Sequence, residues 1–405
     1  KQYRLVKSIF EQVSTFSDST FYDISTWNFP YTFGVAFSEI GSLKELEYSG
    51  PEDLLVYEGK IIGGKNSTAY LFEWNEYTSP KALYEFQKAG LRTKVATKNF
   101  AFEIEGELKE FSYGTILIEV SNQYLNEIQI YNLAQKISGE TGIDIYGLST
   151  GLSKQGIDLG SNSFVSLNKP DVLVFVAGNI RSTDAGEIWH LFDQRYNIPV
   201  TLVETNSLNS VELSKYNTII LPSGSYQEWN SNDVQKIKNW TQEGGILIAC
   251  QRAAAWAAQK NIGATTFKKT AQADSSLNFN YASREKERNL NAISGAIFNT
   301  IIDNTHPLCY GYTENFIPVF KSGNTTANTM GINYAEPVKF APDPYLSGFV
   351  SGQNLDKIKN APVVSVQNIG SGKIISFHEN MTFRGIWLGT NKLLANGVFF
   401  GSVIR

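Results

Sequence analysis

Between Asp171 and Ala258 the chain alternates short apolar runs with helical patterns, and this alternation restricts the fold more than any other feature. DVLVFVAG (Asp171–Gly178), VTLVET (Val200–Thr205), TIILPS (Thr218–Ser223) and GILIAC (Gly245–Cys250) are the apolar runs. DAGEIWHLFDQRY (Asp184–Tyr196) and the polar NDVQKIKNWTQEGG separate them. Strands that are apolar throughout, joined by helices, predict an α/β fold with a parallel sheet covered on both faces. In such sheets chemistry gathers at the carboxyl ends of the strands. Cys250 falls at one of those ends.

The rest of the chain reads as a second, smaller unit. A lead-in dense in aromatics, TFYDISTWNFPYTFGV, occupies part of residues 1–45 and is expected to be irregular or edge-like around Pro30. From Tyr57 onward come the strand AYLFEW, the helix SPKALYEFQKAG, the hairpin FAFEIEGELKEF, the strand GTILIEV and the helix YLNEIQIYNLAQKISGETG. Pro80 suits a helix start and Gly90 a helix stop. These predict a small α/β or α+β domain over 1–165, ending at the Gly/Ser/Asn-rich GIDLGSNSFVSLNKP, with the second domain over 170–405. Beyond Cys250 the expectations are a helix (QRAAAWAAQKN), a polar excursion over Thr265–Arg288 and two loop-and-strand mixtures. PVVSVQ and KIISFHEN then form a hairpin, and TNKLLANGVFFGSVI a terminal helix.

Composition removes several classes of function. The 405 residues carry 35 Lys and Arg against 39 Asp and Glu, with no strongly basic stretch, so no nucleic-acid partner is expected. No apolar run reaches the length of a membrane span. Two cysteines, Cys250 and Cys309, make neither a disulfide framework nor a cysteine zinc site. The 25 Phe, 20 Tyr and 7 Trp suggest, as one alternative, a carbohydrate- or peptidoglycan-binding module. The chain enters a helical pattern directly after Lys1, and is expected to be a piece of a longer protein.

Three histidines are present, His190, His306 and His378. At 100° per residue, Ile188, Leu191, Phe192 and Arg195 form the inward stripe of the helix over Asp184–Tyr196. Glu187, His190 and Asp193 then form an outward, solvated face, and no metal site is expected there. His306 sits before Pro307 in a loop. Cys250 and His378 each end an apolar run, so both are expected at one rim of the sheet. With Glu379 as orienter they compose a nucleophile, a base and a carboxylate, the basis of an alternative Cys–His amidohydrolase.

Strand–Cys–helix followed by strand–His resembles the class I glutamine amidotransferase domains, which have a flavodoxin-like fold. LPSGSY (Leu221–Tyr226) stands where that family has its oxyanion loop, which makes Gly224 and Ser225 the donor candidates. The family's elbow reads G-x-C-x-G; centred on Cys250, this chain has Ile248 and Arg252 at the glycine positions. The family's H-x-E becomes His378-Glu379-Asn380.

A second resemblance covers nearly the whole chain. DSTFYDISTWNFPYTFG, AYLFEWNEYTSPKALYEFQKAGLRTKVATK, GIDIYGLSTGLSKQGIDLGSNSFVSLNKP, DAGEIWHLFDQRYNIPVT, NTIILPSGSY, DNTHPLCYGY and FRGIWLGTNKLLANGVFFG look like the region after the catalytic domain of secreted zinc carboxypeptidases. These belong to the carboxypeptidase A superfamily, in Bacteroidetes-like bacteria. The resemblance implies a secreted, periplasmic or cell-envelope protein. It also implies a preceding peptidase domain as partner, peptide or glycan as substrate, and zinc held by that domain. The peptidase's H-x-x-E ligands have no counterpart here, so the chain is expected to bind no cofactor of its own and to be a non-catalytic accessory region.

Overall fold

The computed structural model describes residues 2–14, 28–38, 57–65, 67–269, 281 and 292–405. Most of the polar excursion and much of the aromatic lead-in lie outside these residues. The chain divides into two units, Val35–Lys169 and Lys1–Gly34 with Pro170–Arg405.

Two short helices open the chain, α1 (Tyr3–Phe10) and α2 (Phe29–Phe33). They correct the expected domain assignment, because residues 1–34 pack with the C-terminal unit. The Val13 N–H donates to Ser347 Oγ (3.0 Å), and the Gly348 N–H donates to the Val13 carbonyl (2.8 Å). Tyr31 joins Ile297, Phe320 and Trp387 in one buried cluster. The partners that fix this segment are more than 250 residues away in sequence, so local pattern does not reveal them.

The unit Val35–Lys169 contains β1 (Ile61–Ile62), β2 (Ala69–Phe72), α3 (Ser79–Lys88), β3 (Thr93–Ala96), β4 (Phe100–Ile104) and β5 (Glu107–Phe111). It continues with β6 (Ile116–Glu119), α4 (Glu127–Thr141), β7 (Ile145–Leu148) and β8 (Phe164–Leu167). Its sheet has the order β1-β7-β2-β6-β3-β8, and every pairing except β1 with β7 is antiparallel. The unit is therefore α+β in character. Glu105 and Gly106 both have positive φ, as a two-residue hairpin turn between β4 and β5 requires.

The C-terminal unit contains β9 (Val172–Val176), α5 (Ser182–Trp189), β10 (Val200–Glu204), β11 (Thr218–Leu221), α6 (Ser231–Gln242), β12 (Ile246–Cys250) and α7 (Arg252–Gln259). Then follow β13 (Ala296–Ile302), β14 (Pro318–Lys321), β15 (Val338–Gly348), α8 (Gly352–Ile358), β16 (Pro362–Ile369), β17 (Gly372–Phe377) and α9 (Asn391–Phe400). All belong to one nine-stranded sheet and its covering helices, in the strand order β10-β9-β11-β12-β17-β16-β15-β13-β14. The first five strands are parallel and the last four run antiparallel to their neighbours. Counted along the chain, the parallel strands have the order 2-1-3-4-5, which is the flavodoxin-like arrangement. Beyond the expected β16–β17 hairpin, the antiparallel strands β13, β14 and β15 are a finding of the structure. The two loop-and-strand mixtures become β13 and β15, whose β-bulges break the period-two pattern that would have marked them.

Helix α5 continues without a break into a π-helical turn, His190–Arg195. Ile188, Leu191 and Phe192 are buried as the apolar stripe requires. The opposite face departs from expectation. Glu187 is only partly exposed and accepts hydrogen bonds from Asn380 Nδ2 (2.8 Å) and the Arg384 N–H (2.7 Å). A carboxylate on a polar stripe is solvated only when no loop folds over it, and here one does. We predict that Leu191→Ala costs ~2–5 kcal/mol in chemical denaturation, because Leu191 is enclosed. Leu202→Ala, at a site 47% exposed on the edge strand β10, changes stability by less than about 0.5 kcal/mol. Equal losses would contradict this packing.

Candidate functional site

The carboxyl ends of β9, β11, β12 and β17 form the rim where a fold of this order places its ligand site. Between β9 and β11 the loops are stitched together. The Arg181 N–H donates to the Ser223 carbonyl (3.0 Å), the Ser225 N–H to the Asn179 carbonyl (3.2 Å), and Ile180 bridges Gly224. A Cβ on Gly224 would lie 2.8 Å from Ile180 Cα, so glycine here serves the close approach of two loops. Ser225 has spent its N–H on Asn179. Of the two oxyanion candidates, Gly224 and Ser225, one thus serves packing and the other is already bonded.

Cys250 and His378 share the rim but not a face. Cys250 pairs with Phe377 in the β12–β17 register. Paired residues point to the same side of a sheet, and the next residue points to the other. Cys250 therefore lies on the α9 side, where Leu394 lines its surroundings, and His378 lies on the side of Ser365. No hydrogen bond joins the two. His378 Nε2 meets Ser365 Oγ at 3.0 Å, Phe267 packs edge-on against the ring, and Nδ1 has no partner among the described residues. Burial, with Lys321 nearby, depresses the imidazole pKa to about 3. Glu379 does not orient His378; it forms a buried ion pair with Lys321 at 2.5 Å, and Lys321 also donates to the Thr325 carbonyl (2.7 Å). Burial raises the Glu379 carboxyl against the pull of that cation. The expected nucleophile–base–carboxylate set is not assembled.

The thiol itself is poorly placed for chemistry. Cys250 is half-buried, and desolvation of its thiol, with the Asp184 carboxylate second, pushes it up to about 12, away from the thiolate. The cavity lined by Cys250, Gln251, Asp184, Asn380 and Thr382 holds about 10 Å³, roughly one water. A larger hollow of about 430 Å³ lies beside α6, lined by Leu213, Asn232, Asn239, Trp240 and Glu243, and includes none of these rim residues. Among the described residues no cluster of three His, Cys, Asp or Glu side chains could hold a metal ion, and no helix is long and apolar enough to cross a membrane.

The sharp strand-to-helix turn sits one residue later than the sequence suggests. Gln251 has φ 46° and ψ −106°, a strained conformation for a residue with a side chain, and α7 starts at Arg252. A nucleophile elbow places its reactive residue at that strained position. Centred on Gln251, the flanking positions are Ala249 and Ala253, both fully buried. The elbow thus has the small neighbours it needs, and an elbow centred on Cys250, with Ile248 and Arg252 beside it, is off by one residue. Glutamine stands where the nucleophile would be. In the H-x-E pattern, the carboxylate position is held by Asn380, whose amide is bonded to Glu187 and Thr382. Backbone strain is the signal that locates the turn, and sequence carries no direct record of it.

No protein-family model matches the chain, and no curated protein matches it. Solved structures similar to part of it include PurLQS from Thermotoga maritima, at 12% identity over 56% of this chain and 97% of that chain, TM-score 0.36. A ThuA-like protein from Parabacteroides merdae is 13% identical over 57% of this chain and 89% of its own, TM-score 0.37. A GMP synthase subunit from Thermoplasma acidophilum is 10% identical over 56% of this chain and 94% of its own, TM-score 0.33. Glutamine amidotransferase-like and ThuA-like folds are thus among the structures this chain is similar to.

The His378 environment makes a pH prediction. Its pKa is about 3 in the fold and about 6.5 unfolded, so the unfolded chain binds one more proton between those values. This contribution to stability is complete above pH 6.5 and is lost as pH falls toward 3. We predict that wild type loses stability faster than His378→Asn between pH 6 and 4, by roughly 1 kcal/mol per pH unit. His306, remote from this site, titrates in both proteins and cancels from the difference. Parallel stability curves would show that His378 is not buried in its neutral form.

Proposed function

We propose that this chain is a non-catalytic accessory region, the C-terminal part of a secreted zinc metallocarboxypeptidase, where it supports the peptidase domain or binds substrate. The observation that carries the non-catalytic reading is Gln251 at the strained elbow, in the position an amidotransferase gives to its cysteine. An amide is no nucleophile at neutral pH. The adjacent Cys250 faces the opposite side of the sheet from His378, and His378 is held neutral by burial. The link to a carboxypeptidase rests on the long sequence motifs alone. Zinc, in this reading, belongs to the peptidase domain and not to this chain.

The test is enzymatic. The purified chain, supplied with zinc, should release no C-terminal amino acid from a peptide panel and should hydrolyse no glutamine above background. Chelator-sensitive peptide turnover would contradict the accessory role. Glutamine hydrolysis that disappears in Cys250→Ser would restore the amidohydrolase reading.

A further inference from the structure

Just after the rim, the segment Asn380–Gly385 crosses over the cavity that contains Cys250. Met381 and Thr382 are buried and line that cavity together with Asp184, Ile188, Gln251 and Leu394. On one side Phe383 stacks on Phe320, with ring centroids 3.9 Å apart, and on the other the segment is held by α5 and its continuation. Glu187 accepts Asn380 Nδ2 and the Arg384 N–H, and Arg195 Nη2 donates to the Gly385 carbonyl at 3.0 Å. Glu187 lies in α5 and Arg195 ends the π-helical turn that continues it, so one helical rod supplies all three bonds. π-helical turns of this kind recur at functional sites.

The segment is also strained. Arg384 and Gly385 have φ 54° and 64°, two successive left-handed residues of which only the second is glycine. Such a conformation persists when surrounding contacts impose it, and Glu187 makes its contact at the strained residue itself. At its start, Asn380 Oδ1 caps the Thr382 N–H and hydroxyl, and Thr390 Oγ1 donates to the Met381 carbonyl. Asp184 beneath is 6% exposed, and its Oδ2 has no partner among the described residues.

We propose that Asn380–Gly385 is a strap latched by Glu187 and Arg195, and that its release opens the rim cavity and widens access to the half-buried Cys250 without unfolding the sheet. The closed cavity has room for about one water, so a larger ligand that enters it beside the buried Asp184 must displace Met381 and Thr382. Local opening of this type draws on few bonds, while the β12–β17 core stays paired.

The two thiols supply the assay. Cys250 borders the strap and is half-buried, and Cys309 is fully buried elsewhere in the same unit. Burial raises the pKa of both, so their relative labelling by iodoacetamide reports access more than acidity. In the wild-type protein, peptide mapping should find Cys250 labelled faster than Cys309, with a weaker dependence on low urea. Glu187→Ala and, independently, Arg195→Ala should speed Cys250 labelling on the order of tenfold and leave Cys309 protected. Labelling of both cysteines at one rate in the wild type would overturn the proposal, because access would then require global unfolding. Unchanged Cys250 rates in both variants, with the fold intact, would overturn the latch.

Discussion

Strands β12 and β17 pair in parallel over five residues, from Ile246 opposite Lys373 to Cys250 opposite Phe377. This ladder closes the flavodoxin-like half of the sheet, and β17 then pairs with β16 to begin the antiparallel extension. It sits at the centre of the nine strands, and Leu247, Ile248, Ile374 and Ile375 around it are almost wholly buried. A one-residue slip would turn every one of these side chains to the other face and put Ser376 among the apolar partners of α9. The register is therefore strongly specified. It also decides the chemistry, because the same alternation sends Cys250 and His378 to opposite faces.

The rim carries a strained strand-to-helix turn at Gln251, and the polar residues beside it are bonded elsewhere. Gln251 keeps the strained backbone, and Ala249 and Ala253 keep the space around it. His378 has turned to Ser365, Glu379 to Lys321 and Asn380 to Glu187. Each bond satisfies a polar group that burial would otherwise penalise by about 1–3 kcal/mol. The polar residues at this end of the sheet are thus used to hold loops together. Similar bonds stitch the β9 and β11 loops.

The parallel strands were legible because each is a continuous apolar run between turn residues, and the β16–β17 hairpin because NIGSG separates two such runs. The buried stripe of α5 followed from its spacing. Residues 1–34 were misplaced because their anchors, Ser347, Gly348 and Trp387, are remote in sequence. Glu187 read as solvated because helical periodicity cannot anticipate a loop from the far end of the chain. Cys250 drew attention by residue type, while the turn that matters is defined by the dihedral angles of the glutamine beside it. Residue identity reveals which groups have chemistry, but register and backbone strain decide which groups meet.

The central claim is that His378 answers to Ser365 and not to Cys250. The direct measurement is the pair of imidazole ¹⁵N chemical shifts of His378, in wild type, Cys250→Ser and Ser365→Ala. The account predicts shifts that Cys250→Ser leaves unchanged and Ser365→Ala moves, because Nε2 loses its 3.0 Å partner. A response to Cys250→Ser with none to Ser365→Ala would place the thiol and the imidazole on one face and contradict the register on which the account stands.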